Sequence, residues 1–450
     1  MNVAISDIAH DLGTTVIGVQ TAITLFTLTM AALMIPGSKL TDIWGRKLCF
    51  EIGLTVYGLG ALIAALAPAL GVLIFGYSLL EGLGTALLIP PVYILLTVSF
   101  HDLTTRAKAF GIVSGAAGLG AAAGPLIGGL ITSTISWRAS FILQVLVVAY
   151  IIFLARKIAD PGITGPKPRF DVIGAILSAA GLVFVVVGIL VSGTYGWFAA
   201  QQDFVIGNTV VIAAGGISPV WLFIGIGAII LLGFFLYIRH RERVGKEPLI
   251  STRLFRNRTS NLGLVTQNIQ WLTLQGSFFV ISVFLQEVRH FSAIETGLML
   301  TPATIGILLS GALAGRFAKR RSQRTLIRAG FVVTIVGTIL LLVLASATSS
   351  IWYFVPGLFL MGFGVGVMLT SSVNVVQSAF PDKDQGEISG LSRSVSNLGS
   401  SLGVALVGSV LVSQRVVGNA HFALALIVMA AIGGIGLIAA LLLPPPKPAQ

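Results

Sequence analysis

Charge is scarce in this chain. Only 10% of its 450 residues are Asp, Glu, Lys or Arg, where a water-facing surface needs roughly 25%. A soluble globule of this size is thereby excluded. Cysteine is scarcer still: Cys49 stands alone, so neither a disulfide framework nor a cysteine metal site can be built. The five histidines do not fall at metal-ligand spacing, and no Ser/His/Asp grouping suggests hydrolysis. No metal, no cofactor and no enzymatic activity are therefore expected. The ten-residue alternation of a transmembrane β-barrel is missing. Met1–Ala9 also lacks the basic region and long apolar core of a signal peptide.

What is present is apolar length. Hydrophobic residues make up 55% of the chain and the mean hydropathy is +0.97, concentrated in runs long enough for a helix to cross ~30 Å of hydrocarbon. Thirteen spans are expected, at 15–40, 48–67, 70–99, 108–133, 139–157, 171–194, 219–238, 261–286, 295–317, 325–345, 351–379, 387–413 and 420–443. Alternate connections divide the Lys and Arg residues 25 to 3, with only Arg138, Arg289 and Arg415 on the poorer side. Basic loops stay in the cytoplasm, so the C-terminus is expected there, in a cell (inner) membrane. The net charge of +12 is thus a topology signal, and no nucleic-acid partner is expected. Thirteen spans ending inside would leave Met1 outside, so fourteen are expected in the full design, with the first incomplete here.

An internal repeat supports an even count. Ser38 matches Gly315, Gly82 and Gly84 match Gly362 and Gly364, and Leu119-Gly120 matches Leu398-Gly399, at offsets of 277, 280 and 279 residues. The expected fold class is an all-α membrane protein of two six-helix bundles with two extra central helices. Its parts would be an N-terminal bundle at 1–157, a linker pair with its loops at 158–258, and a C-terminal bundle at 259–450. Two bundles related in this way place a substrate site between them at mid-membrane. Gly215 and Gly216 make Val205–Pro219 read as an external lid or hairpin.

Two motifs sharpen the reading. Ser38-x-Leu40-x-Asp42-x-x-Gly45-Arg46-Lys47 resembles the signature loop of the major facilitator superfamily. In that pattern Asp42 faces a helix N-terminus of the opposite half, where the macrodipole favours a carboxylate. Gly45 allows the tight turn, and Arg46 and Lys47 anchor the cytoplasmic face, the whole forming a conformational latch. Ser38 departs from the usual glycine, and Lys319 stands where the second copy would repeat Asp42. Gly120-x-x-x-Gly124-Pro125-x-x-Gly128-Gly129 resembles the antiporter motif of drug:proton antiporters, in which small residues allow close helix contact and the proline bends the helix.

With Trp137-Arg138 preceding a new span, the chain resembles the fourteen-span drug:proton antiporter branch of that superfamily, over nearly its whole length. The resemblance implies major facilitator transport by alternating access, with a small-molecule substrate and protons as partners, a lipid bilayer as surroundings, and a monomer. Thr21, Phe26 and Ser6 depart from the pattern. In the fourth-span motif, Ser78 and Glu81 stand where the family carries Arg and Gln, and the resemblance ties that Arg to proton transfer.

Glu81 lies near the middle of an apolar span, and Met361 is its counterpart in the second half. Intramembrane acids are functional-site candidates by default, so Glu81 is the expected proton-coupling or substrate residue. The bland alternative is a neutral Glu81 bonded to a nearby hydroxyl or carbonyl. Gln267, Asn268, Gln270 and Gln275 either line a cavity or bond between helices. Glu51 and Glu387 read as caps or loop pairs, Asp7 and Glu287 as outward-facing acids, and Phe278, Phe279 and Phe284 as aromatic contacts or lipid-facing rings. The competing functions are a major facilitator carrier for a narrow metabolite and a non-transporting membrane sensor or scaffold.

Overall fold

The computed structural model describes residues 1–99, 116, 120, 123–157, 169–206, 209–346, 348–380, 385–411 and 420–444. Among them are twelve helices long and apolar enough to cross a membrane. They are α1 Val16–Trp44, α2 Arg46–Ala65, α3 Leu70–Val92, α4 Trp137–Ala155, α5 Val172–Tyr195 and α6 Pro219–Arg243, then α7 Arg258–Val288, α8 Ala293–Leu313, α9 Gln323–Leu344, α10 Ile351–Gln377, α11 Glu387–Leu411 and α12 Ala420–Leu441. Each falls on an expected span. The remaining one, 108–133, lies mostly outside the described residues, although 123–134 is helical. Strands β1 Phe204–Ile206 and β2 Thr209–Ile212 pair antiparallel, the hairpin expected between the two central helices.

Local chemistry sets the helix ends. The Thr15 hydroxyl accepts the Gly18 amide at 3.2 Å to start α1. Gly45 ends it with φ +102°, a conformation that side chains resist, so the chain turns within one residue and α2 begins at Arg46. Ser292 and Glu295 form a reciprocal capping box at the start of α8. Asp171 caps α5 through the Gly174 amide at 3.1 Å.

Within each half the helices meet through glycine. A Cβ on Gly60 of α2 would lie 2.7 Å from the Glu81 amide of α3, and one on Gly337 of α9 would lie 2.5 Å from the Met361 amide of α10. Gly53 with Gly84, and Gly330 with Gly364, repeat the pattern one level along. The duplication read from the sequence is therefore present in three dimensions, with Met361 seated where Glu81 sits.

Between the halves, α1 packs along α11, and residues 123–134 pack on the start of α8. The central pair α5–α6 packs on itself, and α5 also touches α1 and α11. Two acids pin its flanking sequence. Asp171, 1% exposed, accepts the Leu249 amide at 3.0 Å and the Tyr237 hydroxyl at 3.1 Å, and pairs with Arg241 at 3.3 Å. Glu242 accepts the Ser251 hydroxyl at 2.9 Å and the Thr252 amide at 2.8 Å.

The close approaches give a direct test. A Cβ at Gly362 of α10 would lie 1.9 Å from the Ala303 carbonyl oxygen, whereas Gly434 of α12 has nothing within 4 Å. Gly362→Ala should lower stability by ~1–3 kcal/mol, the range for overpacking, and Gly434→Ala should be neutral or slightly stabilising. Thermal unfolding of the two purified variants measures the difference, and equal unfolding temperatures would refute the packing.

Candidate functional site

The sequence of α3 produces a helix that widens at its middle. Residues Ile74–Glu81 form a π-helical stretch, with Glu81 as its last residue. Such turns recur at functional sites because one extra residue shifts the side chains off the regular helical faces. Gly76 and Gly60 let the backbones of α3 and α2 touch, each Cβ position lying 2.7 Å from the other's carbonyl oxygen. This contact brings Tyr57 of α2 against Glu81, and the Tyr57 hydroxyl and the Met1 amino group are polar neighbours of the carboxyl. That hydroxyl in turn donates to Gln144 Oε1 of α4. Glu81 is 1% exposed and its Oε1 has no hydrogen-bond partner among the described residues. Ser78 does not serve it, since its hydroxyl donates to the Ala22 carbonyl of α1 at 2.7 Å. Tyr77 stacks on Phe26 of α1 at 4.6 Å between centroids and closes the apolar side.

The loop motif is at the basic end of the seam between the halves. Gly45 makes the expected turn. Arg46 opens α2, and Lys47 pairs with Glu51 at 3.9 Å. Asp42 is exposed, and no hydrogen bond or ion pair joins it to the opposite half among the described residues. One turn earlier the chain does cross the seam. Lys39 pairs with Glu387 of α11 at 3.8 Å, and Ser38 packs 3.3 Å from the Cβ position of Gly390. The other oxygen of Glu387 accepts the Ser251 amide at 3.1 Å, so one carboxylate ties α1, α11 and the loop after α6. Further along the seam the Ser394 hydroxyl donates to Ala31 O and Ser401 to Thr24 O.

The Gly-Pro motif is also at the seam, though only some of its residues carry it. A Cβ on Gly129 would lie 2.5 Å from the Ala293 carbonyl of α8, and one on Gly297 would lie 2.5 Å from the Pro125 carbonyl. The Ile294 amide donates to the Ser133 hydroxyl at 3.0 Å. Gly128 approaches Val3 at 3.6 Å, while no described atom lies within 4 Å of a Cβ at Gly120 or Gly124. Their repeat partners Gly399 and Gly403 press on the carbonyls of Asn268 and Leu272, at 2.2 Å each.

The polar cluster of α7 bonds between helices. Gln267 accepts from Ser392 and donates to Ser396, both at 2.9 Å, and Asn268 donates to Val395 O at 2.9 Å. Gln270 accepts from Ser372 at 2.9 Å, while its buried Nε2 has no partner among the described residues. Gln275 is half-buried. Phe279 is fully buried rather than lipid-facing, because its face of α7 meets the rest of the bundle. Tyr57, Gln144 and Lys39 were not singled out by sequence. The signal was available for the first two, since each is a polar group inside an apolar span.

The family model described as Major Facilitator Superfamily matches residues 1–250, 204–404 and 263–450. The chain belongs to the Major Facilitator Superfamily. Among its relatives, the multidrug resistance protein Stp of Mycobacterium tuberculosis is 28% identical over 411 residues, which cover 91% of this chain and 72% of that protein. The puromycin resistance protein pur8 of Streptomyces alboniger is 27% identical over 413 residues, covering 91% and 77%. A crystal structure of the peptide transporter POT shares the major facilitator fold at a TM-score of 0.65 and 18% identity, covering 96% of this chain and 86% of that one.

At the end of the seam away from Lys39, Asp11 gathers two partners. The Trp137 indole donates to it at 2.9 Å, Arg138 pairs with it, and Arg138 also donates to Ala67 O at 2.8 Å. The Arg138 guanidinium, ahead of Trp137, holds the Asp11 carboxyl below the usual carboxylate range. A depressed folded-state value means stability present at neutral pH and lost as pH falls through it. Asp11→Asn should therefore lower stability at pH 7 by roughly 0.5–1 kcal/mol, screening included. The gap from the parent should narrow on acidification, once the parent carboxyl is protonated too. Unfolding temperatures between pH 3 and pH 7 check this, and a constant gap would refute it.

Proposed function

We propose that this protein exports small amphipathic or cationic compounds by alternating access, driven by inward proton flow through Glu81. The carrying observation is a carboxyl 1% exposed within a span, with the Tyr57 hydroxyl beside it. A charged carboxylate at mid-membrane costs ~2.5 kcal/mol or more, so it ionises only when water, a basic partner or a cationic substrate reaches it. Proton and cation then compete for one site, which couples their opposite movements. The names of the relatives, a multidrug and a puromycin resistance protein, support efflux as the direction.

Tyr57 supplies a way to transmit the change. With Glu81 protonated, its O–H donates to the Tyr57 oxygen and Tyr57 donates to Gln144. With Glu81 ionised, the Tyr57 hydrogen turns to the carboxylate and Gln144 loses its donor. The tie between α2 and α4 thus depends on one proton. On this reading the N-terminal bundle is 1–157, the linker pair 158–258 and the C-terminal bundle 259–450. The basic end of the seam faces the cytoplasm with the C-terminus, at the inner membrane. The loop Asp42, Gly45, Arg46 and Lys47, together with Lys39 and Glu387, latches that end. Gly129 and Pro125 seal the other against leak, and the chain works as a monomer.

Glu81→Gln keeps the shape and removes the titration. In liposomes with an imposed pH gradient, it should cut uphill export of a cation such as ethidium at least tenfold, while equilibrative exchange of the same cation persists. Tyr57→Phe should leave the protein folded and reduce proton-driven export severalfold. Parent-level uphill export by Glu81→Gln would place the coupling acid elsewhere.

A further inference from the structure

A second acid sits in a second widened turn. Helix α7 ends in a π-helical stretch, Phe284–Val288, that contains Glu287, and such stretches recur at functional sites. Glu287 is exposed, accepts the Ser6 hydroxyl at 2.6 Å, and has no ion pair among the described residues. The cation two residues on, Arg289, is turned to other groups. It donates to the carbonyls of Ser346 and Ser349 at 3.0 and 2.7 Å, and lies over the Phe291 and Phe354 rings.

Glu287 lines a cavity of about 160 Å³ together with Gln20, Phe279, Val283, Gly408 and Phe422. These walls come from α1 on one side of the seam and from α7, α11 and α12 on the other. The Gln20 amide is held there by donating to Val404 O at 3.1 Å, in space that a Cβ on Gly408 would invade at 1.9 Å. Phe422 is also a wall of a larger apolar cavity, about 340 Å³, bounded by Phe284, Phe354 and Leu426. Its ring meets Phe284 edge-on at 5.2 Å, so one side chain borders both spaces. The smaller space suits a single aromatic ring, since an apolar cavity of about 150 Å³ accepts benzene.

We propose that this seam cavity binds a small aromatic cation, with the Glu287 carboxylate as counter-charge and Phe279 and Phe422 as ring contacts. Carboxylate and aromatic faces both attract a cation, and among the described residues no other charged side chain lines the cavity. Neither Glu81 nor Tyr57 lines this cavity. Its place as a station on an export route rests on the efflux reading, while the binding does not.

Benzyltrimethylammonium is the probe, and neopentylbenzene its uncharged counterpart of the same shape. Titration calorimetry on the purified full chain should show saturable binding of the cation. Glu287→Gln should weaken the cation roughly tenfold and leave neopentylbenzene unchanged. Phe422→Leu should weaken both ligands alike, and Glu51→Gln, at the opposite end of the seam, should change neither. Undiminished cation binding by Glu287→Gln, or by Phe422→Leu, overturns the site, as does an equal loss in Glu51→Gln. Cation binding by a parent protein that exports nothing from vesicles would refute the efflux reading and leave this site standing.

Discussion

The structure depends on backbone-to-backbone contact between helices. In hydrocarbon, lipid tails are as apolar as leucine, so burial alone gives helices little reason to associate. Close approach of main chains restores that reason through dispersion and weak polar contacts. Here glycine supplies the approach in both halves and along the seam between them, with Gly60, Gly129, Gly337 and Gly362 all placed against a neighbour's backbone. The functional geometry follows from it: were α2 and α3 a side chain further apart, Tyr57 would not reach Glu81.

The duplicated halves share that scaffold and differ in what they hang on it. Glu81 and Met361 occupy equivalent seats behind Gly60 and Gly337, yet one is ionisable and the other is soft and apolar. A symmetric frame thus carries one titratable seat and one apolar seat. The same asymmetry marks the polar centre of the second half, where Gln267, Asn268 and Gln270 are committed to bonds with α10 and α11.

Much of this was legible in the sequence. Helix positions followed from apolar run length, the hairpin from its glycines, and the repeat from matched small residues, because these signals are local or periodic. Gly45 was legible because its turn demands a positive φ. Glu81 stood out as an acid in an apolar run. The partners were harder to see. Helices that are apolar all round carry no amphipathic stripe, so the sequence does not say how far each is rotated. That rotation decides whether Asp42 or Lys39 reaches the opposite half, whether Phe279 meets lipid or protein, and which residue stands beside Glu81.

The central pair has a mechanical consequence. Helix α5 touches both α1 and α11, and the loop following α6 is bonded to the same carboxylate that joins them. A body strapped to two parts constrains any relative travel between them most where it is attached. Any relative movement of α1 and α11 would therefore carry α5 and the loop after α6 with it.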